Sequence, residues 1–252
     1  MPIFRVDFHH HVKGDPIDLI SYTASDLIDA AVLHGIHALA ITPHGLVFHD
    51  PEARCYAEKK GILLIFGVEK RVEGKEVLLL NVSPEEIPAV MSFEDLKALR
   101  AQKGKELLVV APHPFYPTSV CMGESLNHYG ELFDGVEYAH LHLPFYNPND
   151  RAVEWARENR KSILANSDTH SLFMIGRNYS EVNCDELSID SIFQAIRERA
   201  VRPVIHIPSF WELFRFLMEV SVFQSLIRLL IPSRVGDPFA QKSSFPSVFP
   251  CL

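Results

Sequence analysis

Several sequence signatures of common enzyme classes are missing. The 252 residues hold no Gly-x-Ser-x-Gly nucleophile elbow, no Gly-x-x-x-x-Gly-Lys phosphate loop and no dinucleotide fingerprint, which removes acyl-transferring serine hydrolases, P-loop NTPases and Rossmann dehydrogenases from consideration. Positive charge is short: 24 Lys and Arg face 32 Asp and Glu, a formal net charge of -8. The broad basic surface that grips a nucleic-acid backbone without regard to sequence is therefore not expected, and a small substrate is favoured. Only four cysteines occur, Cys55, Cys121, Cys184 and Cys251, far apart and without paired spacing. With an N-terminus that runs straight into a strand pattern, they point to the reducing cytoplasm. No Gly/Ser linker, low-complexity tract or internal repeat interrupts the first two hundred residues, so one main domain, residues 1–207, is expected.

What is plentiful is histidine, thirteen in all, and their placement carries the information. Short apolar runs at Phe4 to Phe8, Ala38 to Thr42, Leu63 to Glu69, Val77 to Val82, Leu107 to Ala111, Gly135 to Tyr138 and Ile163 to Asn166 read as buried strands. Between most of them the apolar residues fall at three- and four-residue spacing, as over Leu19 to Leu33, Phe93 to Gln102, Asp150 to Asn159 and Ser188 to Arg199, which predicts helices. Strands alternating with helices imply parallel β/α units, and in a closed β/α barrel reactive groups gather where strands end. Polar residues stand there: His9 and His11 after the first run, His44 after the second, Glu69 closing the third, His113 after a later one, Asp168 and His170 after the last.

In Asp7-Phe-His-His-His11 the period of two along an extended chain places His9 and His11 on one side. Two imidazoles there can share a metal; equally, one histidine of such a run can satisfy a buried hydrogen bond while the others are solvated. Asp168-Thr-His170 offers a carboxylate and an imidazole with the same spacing, a hard oxygen and a borderline nitrogen that suit Zn, Mn or Fe. Glu69 ends Ile-Phe-Gly-Val-Glu, where a buried carboxylate needs a cation, hydrogen bonds or a salt bridge to Lys70 or Arg71.

Taken in order, His9-x-His11, Ile-Thr-Pro-His44-Gly, Gly-Val-Glu69, His113-Pro and Ser-Asp168-Thr-His170 resemble the successive motifs of the polymerase-and-histidinol-phosphatase (PHP) superfamily, and the stretch Ser171 to Val182 resembles its short stand-alone members. The resemblance runs from about residue 3 to residue 183. It implies a distorted seven-stranded β/α barrel with two or three divalent metal ions (Zn, Mn or Fe) at the C-terminal strand ends, hydrolysing a phosphomonoester or phosphodiester with a metal-bridging hydroxide. Carried over, His9, His11, Glu69 and Asp168 hold one metal; Glu69 bridges to a second held by His113; Asp15, His44 and His170 take a third. Glu69 and Asp168 are the expected catalytic pair. Two positions depart from the pattern: Pro43 precedes His44 where many relatives have Asp, and Lys75-Glu-Val-Leu-Leu-Leu80 lacks the histidine relatives often carry in that strand. His140 or His142 could stand in as a ligand, or serve as an interior hydrogen-bonder and a surface residue.

Lys13, Arg71 and Arg177 lie close in sequence to the proposed ligands and are the candidate phosphate-binding cations, with Arg177 favoured for its forked guanidinium. Residues 208–252 form a distinct tail. Ser209 to Ile231 reads as an amphipathic helix whose Glu212, Arg215, Glu219 and Arg228 argue against a membrane span; packing on the barrel or on a second subunit is expected, with a membrane-surface helix as the alternative, against which its polar side is not notably basic. The expected partner is thus a small phosphate ester; the competing readings are an exonuclease-like activity on nucleic-acid ends, a non-catalytic metal-binding module, and hydrolysis of a non-phosphate substrate.

Overall fold

The structure, a computed structural model, describes residues 1–140, 142 and 146–219. The seven expected strands form as β1 (Ile3–Asp7), β2 (Ala38–Ile41), β3 (Leu63–Val72), β4 (Lys75–Leu80), β5 (Leu108–Ala111), β6 (Gly135–Tyr138) and β7 (Ser162–Ala165). Two more, β8 (Tyr179–Asn183) and β9 (Val201–Val204), complete a nine-stranded sheet in the order β7-β6-β5-β4-β3-β2-β1-β8-β9. The sheet curls into a nearly closed barrel of mixed α/β architecture. Strict β/α alternation breaks at two places. β3 and β4 form an antiparallel hairpin, and β8 and β9 run antiparallel to their neighbours. β8, Tyr-Ser-Glu-Val-Asn, is short and largely polar and lacks the continuous apolar run that marks the expected strands.

Side chains alternate across each strand and both faces are buried, so the central strands are apolar throughout. Val6, Phe8, Ala40, Ile65, Leu78, Val110 and Leu164 face inward. The outward residues Leu39, Val68, Leu79 and Val109 pack under an outer layer of helices: α1 (Ala24–Leu33), α2 (Pro51–Lys59), α3 (Phe93–Lys103), the single turn α4 (Leu126–Tyr129) and α5 (Asn149–Glu158). A further helix, α6 (Ile189–Arg197), places Ile192, Phe193 and Ile196 in the inward cluster. It follows β8, whose end Asn183 pairs with Ile3 at the start of β1, so α6 plugs the end of the barrel opposite the strand ends that carry the histidines. α1 begins at Ala24 rather than Leu19, because Thr23 and Asp26 make a reciprocal capping box that satisfies the first orphan N–H groups. α2, unexpected from its low apolar content, starts with an Asp50 cap and Pro51 at the first turn.

The tail is described as far as residue 219. It contributes α7 (Phe210–Leu217), again opened by a capping box, Ser209 with Glu212; the rest of the expected helix to Ile231 lies outside the described residues. No helix among the described residues is long and apolar enough to cross a membrane.

Candidate metal centre

Past the end of β1 the chain stays extended, and the period of two divides the three histidines. His10 turns away from its neighbours: Nδ1 donates to the Ala40 carbonyl at 2.7 Å and Nε2 lies 3.1 Å from Asp7 Oδ2. It is the interior histidine of the run, held by the Ala40 carbonyl and turned away from the cluster. His9 and His11 point the other way, their Nε2 atoms 3.3 Å apart. Around them gather Glu69 from β3, His44 from the loop after β2, His113 from the loop after β5, and Asp168 and His170 from the loop after β7. His113 and Asp168 hold left-handed backbone conformations, φ 30° and 45°, which non-glycine residues adopt at a cost when the surrounding site over-determines them.

The ring nitrogens follow a common rule. His9 Nδ1 donates to Glu137 Oε1 (3.0 Å), His11 Nδ1 to Asp15 Oδ2 (2.8 Å), His44 Nδ1 to Asp15 Oδ1 (3.1 Å) and His170 Nδ1 to the Asp168 carbonyl (3.0 Å). An oxygen of a carboxylate or carbonyl only accepts, so each Nδ1 carries the hydrogen and each Nε2 of a neutral ring presents a lone pair. Those Nε2 atoms face carboxylates: His9, His11 and His44 lie 3.3, 3.5 and 3.2 Å from Glu69 Oε2, and His170 lies 3.1 Å from Asp18 Oδ2. His113 Nε2 stands 3.2 Å from the other Glu69 oxygen, Oε1, with its Nδ1 3.3 Å from Cys121 Sγ. Asp168 Oδ1 is 3.4 Å from both His9 and His11.

Lone pairs opposite carboxylate oxygens repel unless positive charge lies between them, and that charge is either protons or metal ions. Burial works against a charged imidazole, yet Asp168, Glu137 and Glu69 together lift His9 well above the ordinary histidine value. His113 rises likewise against its burial through Cys121 and Glu69, and Asp168 and Asp18 carry His170 to about 9. Glu69 and Asp168 go down well below the usual carboxylate range despite burial, both chiefly through His9. Donor atoms of His9, His11 and Glu69, of His9, His113 and Asp168, of His11, Asp168 and His170, and of His11, Asp15 and His44 lie in sets within 4.8 Å. Nitrogen and carboxylate oxygen at such spacing, with each Nδ1 held by a second partner, fit divalent first-row metals.

The structure thus brings together His9, His11, Asp15, His44, Glu69, His113, Asp168 and His170. Asp15 sits differently from its neighbours, accepting from the backbone N–H groups of Ile17, Asp18 and His44 as well as from His11 and His44 Nδ1. His140 is buried, but among the described residues it belongs to no set of three donors within 4.8 Å. It faces a cavity with Met174, Arg177, His206 and Glu212, and burial pushes it down to about 4. His142 is also buried, edge-on to Tyr138. Of the three cations expected to bind phosphate, Arg71 pairs with Glu76 at 3.0 Å and Arg177 with Glu212, while Lys13 is exposed.

Sequence reasoning missed Asp18, Glu76, Cys121 and Glu137. Glu137 had a readable signal, because Gly135-Val-Glu137 repeats Gly67-Val-Glu69 as a carboxylate closing an apolar strand. Asp18 depends on which loops meet, Glu76 on the hairpin register, and Cys121 on the fold of the loop after β5.

Similarity to known proteins bears on family and fold. Residues 147–201 match the family described as PHP-associated. The PolC-type DNA polymerase III of Lactococcus lactis subsp. lactis is 40% identical over 78 residues, 31% of this chain and 5% of the polymerase, so this chain spans a small part of that relative's length. Among solved structures, a two-domain protein from Bacteroides vulgatus containing a predicted PHP-like metal-dependent phosphoesterase superposes with a TM-score of 0.62 at 22% identity, over 81% of this chain and 65% of that one. The lesion-specific endonuclease EndoQ of Pyrococcus furiosus gives 0.57 at 16% identity, over 78% and 56%. At these identities the likeness is one of fold.

Proposed function

This chain belongs to the PHP superfamily, and on that premise we propose that it is a hydrolase of phosphate esters that works with two or three divalent metal ions and takes a small phosphorylated molecule as substrate. The observation that carries the reading is the set of imidazole Nε2 atoms turned on Glu69 and Asp168 while each Nδ1 is held from behind. His9, His11, Glu69 and Asp168 would hold one ion, and Glu69 through its other oxygen would share a second with His113. His44 and His170 would serve a third. There Asp18, which meets the His170 Nε2, supplies the carboxylate, and Asp15, already accepting five N–H groups, keeps the His11 and His44 rings oriented. Ions in such a site supply Lewis acidity toward phosphoryl oxygens and bring the pKa of water from about 15.7 toward 7. The protein's share is to fix the donors and to exclude water from the buried side. Residues 1–207 would form this hydrolase unit and the segment from 208 a separate packing element.

The test is elemental analysis of protein purified without added metal, together with phosphate release or ester cleavage across mono- and diesters, with Asp168→Ala as control. Two or more metals per chain and turnover lost in the variant support the assignment; metal without turnover on any ester refutes it in favour of a non-catalytic module. Single-stranded DNA belongs in the panel. Its cleavage ahead of small esters would favour the nucleic-acid reading, which the shared fold of the endonuclease brings in and the net charge of -8 opposes.

A further inference from the structure

β3 and β4 pair antiparallel with Glu69 opposite Leu78 and Arg71 opposite Glu76. Residues two apart share a face of a strand, so Glu76 lies diagonally across from Glu69 on the face that looks into the site. Its carboxylate is 4% exposed as a residue, and its two oxygens have different surroundings. Oε1 accepts from Arg71 Nε and Nη2 at 3.2 and 3.0 Å, toward the half-exposed guanidinium. Oε2 faces inward, 3.9 Å from His113 Nε2. Donor atoms of Glu76, Glu69 and His44 fall within 4.8 Å of one another. Glu69 divides its oxygens in the same sense, Oε2 toward His9, His11 and His44 and Oε1 toward His113. Two buried carboxylates this close need compensating charge, and Arg71 reaches only the Oε1 of Glu76.

We propose that Glu76 is a ligand of the ion shared by Glu69 and His113, binding it through Oε2 while Arg71 holds Oε1. This rests on the metal-centre reading above. A carboxylate there makes the second position richer in oxygen than the first, which favours a hard-to-borderline divalent cation such as Mn²⁺. β4 also ties down the other half of this position: Lys75 Nζ donates to the carbonyls of Ser119 and Cys121 at 2.9 and 3.0 Å, fixing the loop whose Cys121 backs His113.

The experiment is Mn²⁺ titration of the metal-stripped full chain, read by bound equivalents and by the exchange-coupled electron paramagnetic resonance signal of adjacent Mn²⁺ ions. Wild type, Glu76→Gln and Arg71→Gln are compared. The proposal expects Glu76→Gln to lose the coupled signal and to weaken one equivalent by about tenfold or more, while Arg71→Gln, which keeps the donor, retains both. Unchanged binding in Glu76→Gln overturns it. Equal loss in both variants overturns it too, because the ion pair and not ligation would then be responsible. If Glu76→Gln does not fold, Glu76→Asp takes its place, since it draws the oxygens back by one methylene and carries the same expectations. Failure of the wild type to bind Mn²⁺ or any other divalent ion would remove the metal-centre reading itself, a result distinct from a wild type that binds and a Glu76 variant that binds equally.

Discussion

Glu137 touches none of the atoms that would meet a substrate, yet its replacement by Gln should weaken metal binding sharply. The side chain is fully buried at the end of β6. Oε1 accepts from His9 Nδ1 at 3.0 Å and Asn166 Nδ2 at 2.9 Å, and Oε2 accepts from the His113 backbone N–H at 2.8 Å. Three donors thus converge on two oxygens, and an amide of the same size offers one oxygen and one NH₂. With the NH₂ toward His113, that N–H loses its acceptor and meets another donor. With the NH₂ toward His9, the imidazole loses the contact that keeps hydrogen on Nδ1 and leaves Nε2 bare. Asn166 cannot turn to help without cost, because its Oδ1 accepts from Phe8 N. An unpaired buried donor costs about 1–3 kcal/mol, and loss of an outer partner of a ligating histidine typically costs about 10–100-fold in metal affinity, or about 1.4–2.7 kcal/mol. Competition titration against a chelator, with thermal melting of the metal-free protein alongside, reads both quantities. Affinity within about twofold of wild type, with an unchanged melting temperature, would refute the argument that Glu137 sets the tautomer of His9.

Asp168→Asn keeps the size of the side chain and removes the charge shared with His9, His11 and His170; metal stoichiometry measured by elemental analysis should fall, and a variant with full metal content would count against Asp168 as a ligand. Away from the site, Asp134 is buried and accepts from Arg100 and Arg197 and from Val109 N, so Asp134→Ala should cost about 3 kcal/mol in urea unfolding, as for breaking a buried pair. Burial raises the Asp134 carboxyl, but Arg100 outweighs it and the net shift is downward. A carboxyl lowered in the folded state contributes stability that is present above its unfolded value of about 3.9 and is lost as the pH falls through the folded value. The variant's deficit should therefore shrink in melts taken at progressively more acidic pH, and a constant deficit would contradict this. Gly67→Ala would bring a Cβ within 2.9 Å of both Leu79 O and Thr42 Cγ2; overpacking of that kind costs about 1–3 kcal/mol, and a melting temperature equal to wild type would show the hairpin to be looser than its contacts indicate.

Much of this centre could be read along the chain because its donors sit at strand ends, where an apolar run gives way to a polar residue and where spacing by two puts side chains on one side. His9, His11, Glu69, Asp168 and His170 follow from that local chemistry, as do the seven apolar strands. Residues whose place depends on how strands pair or loops meet did not. Asp18 matters because its loop meets His170, 152 positions away, and Glu76 because a hairpin register sets it diagonal to Glu69. Among the cations, Arg177 and Arg71 carry chemistry suited to phosphate, and the fold gives them Glu212 and Glu76 as partners. His140, which the sequence offers either as a substitute ligand or as an interior hydrogen-bonder, lines the cavity beside Arg177. Sequence determined which groups of this protein can bind a metal, since donor chemistry and strand period are local properties; tertiary structure decided which of them meet, since that depends on how loops from separate strands close over one end of the barrel.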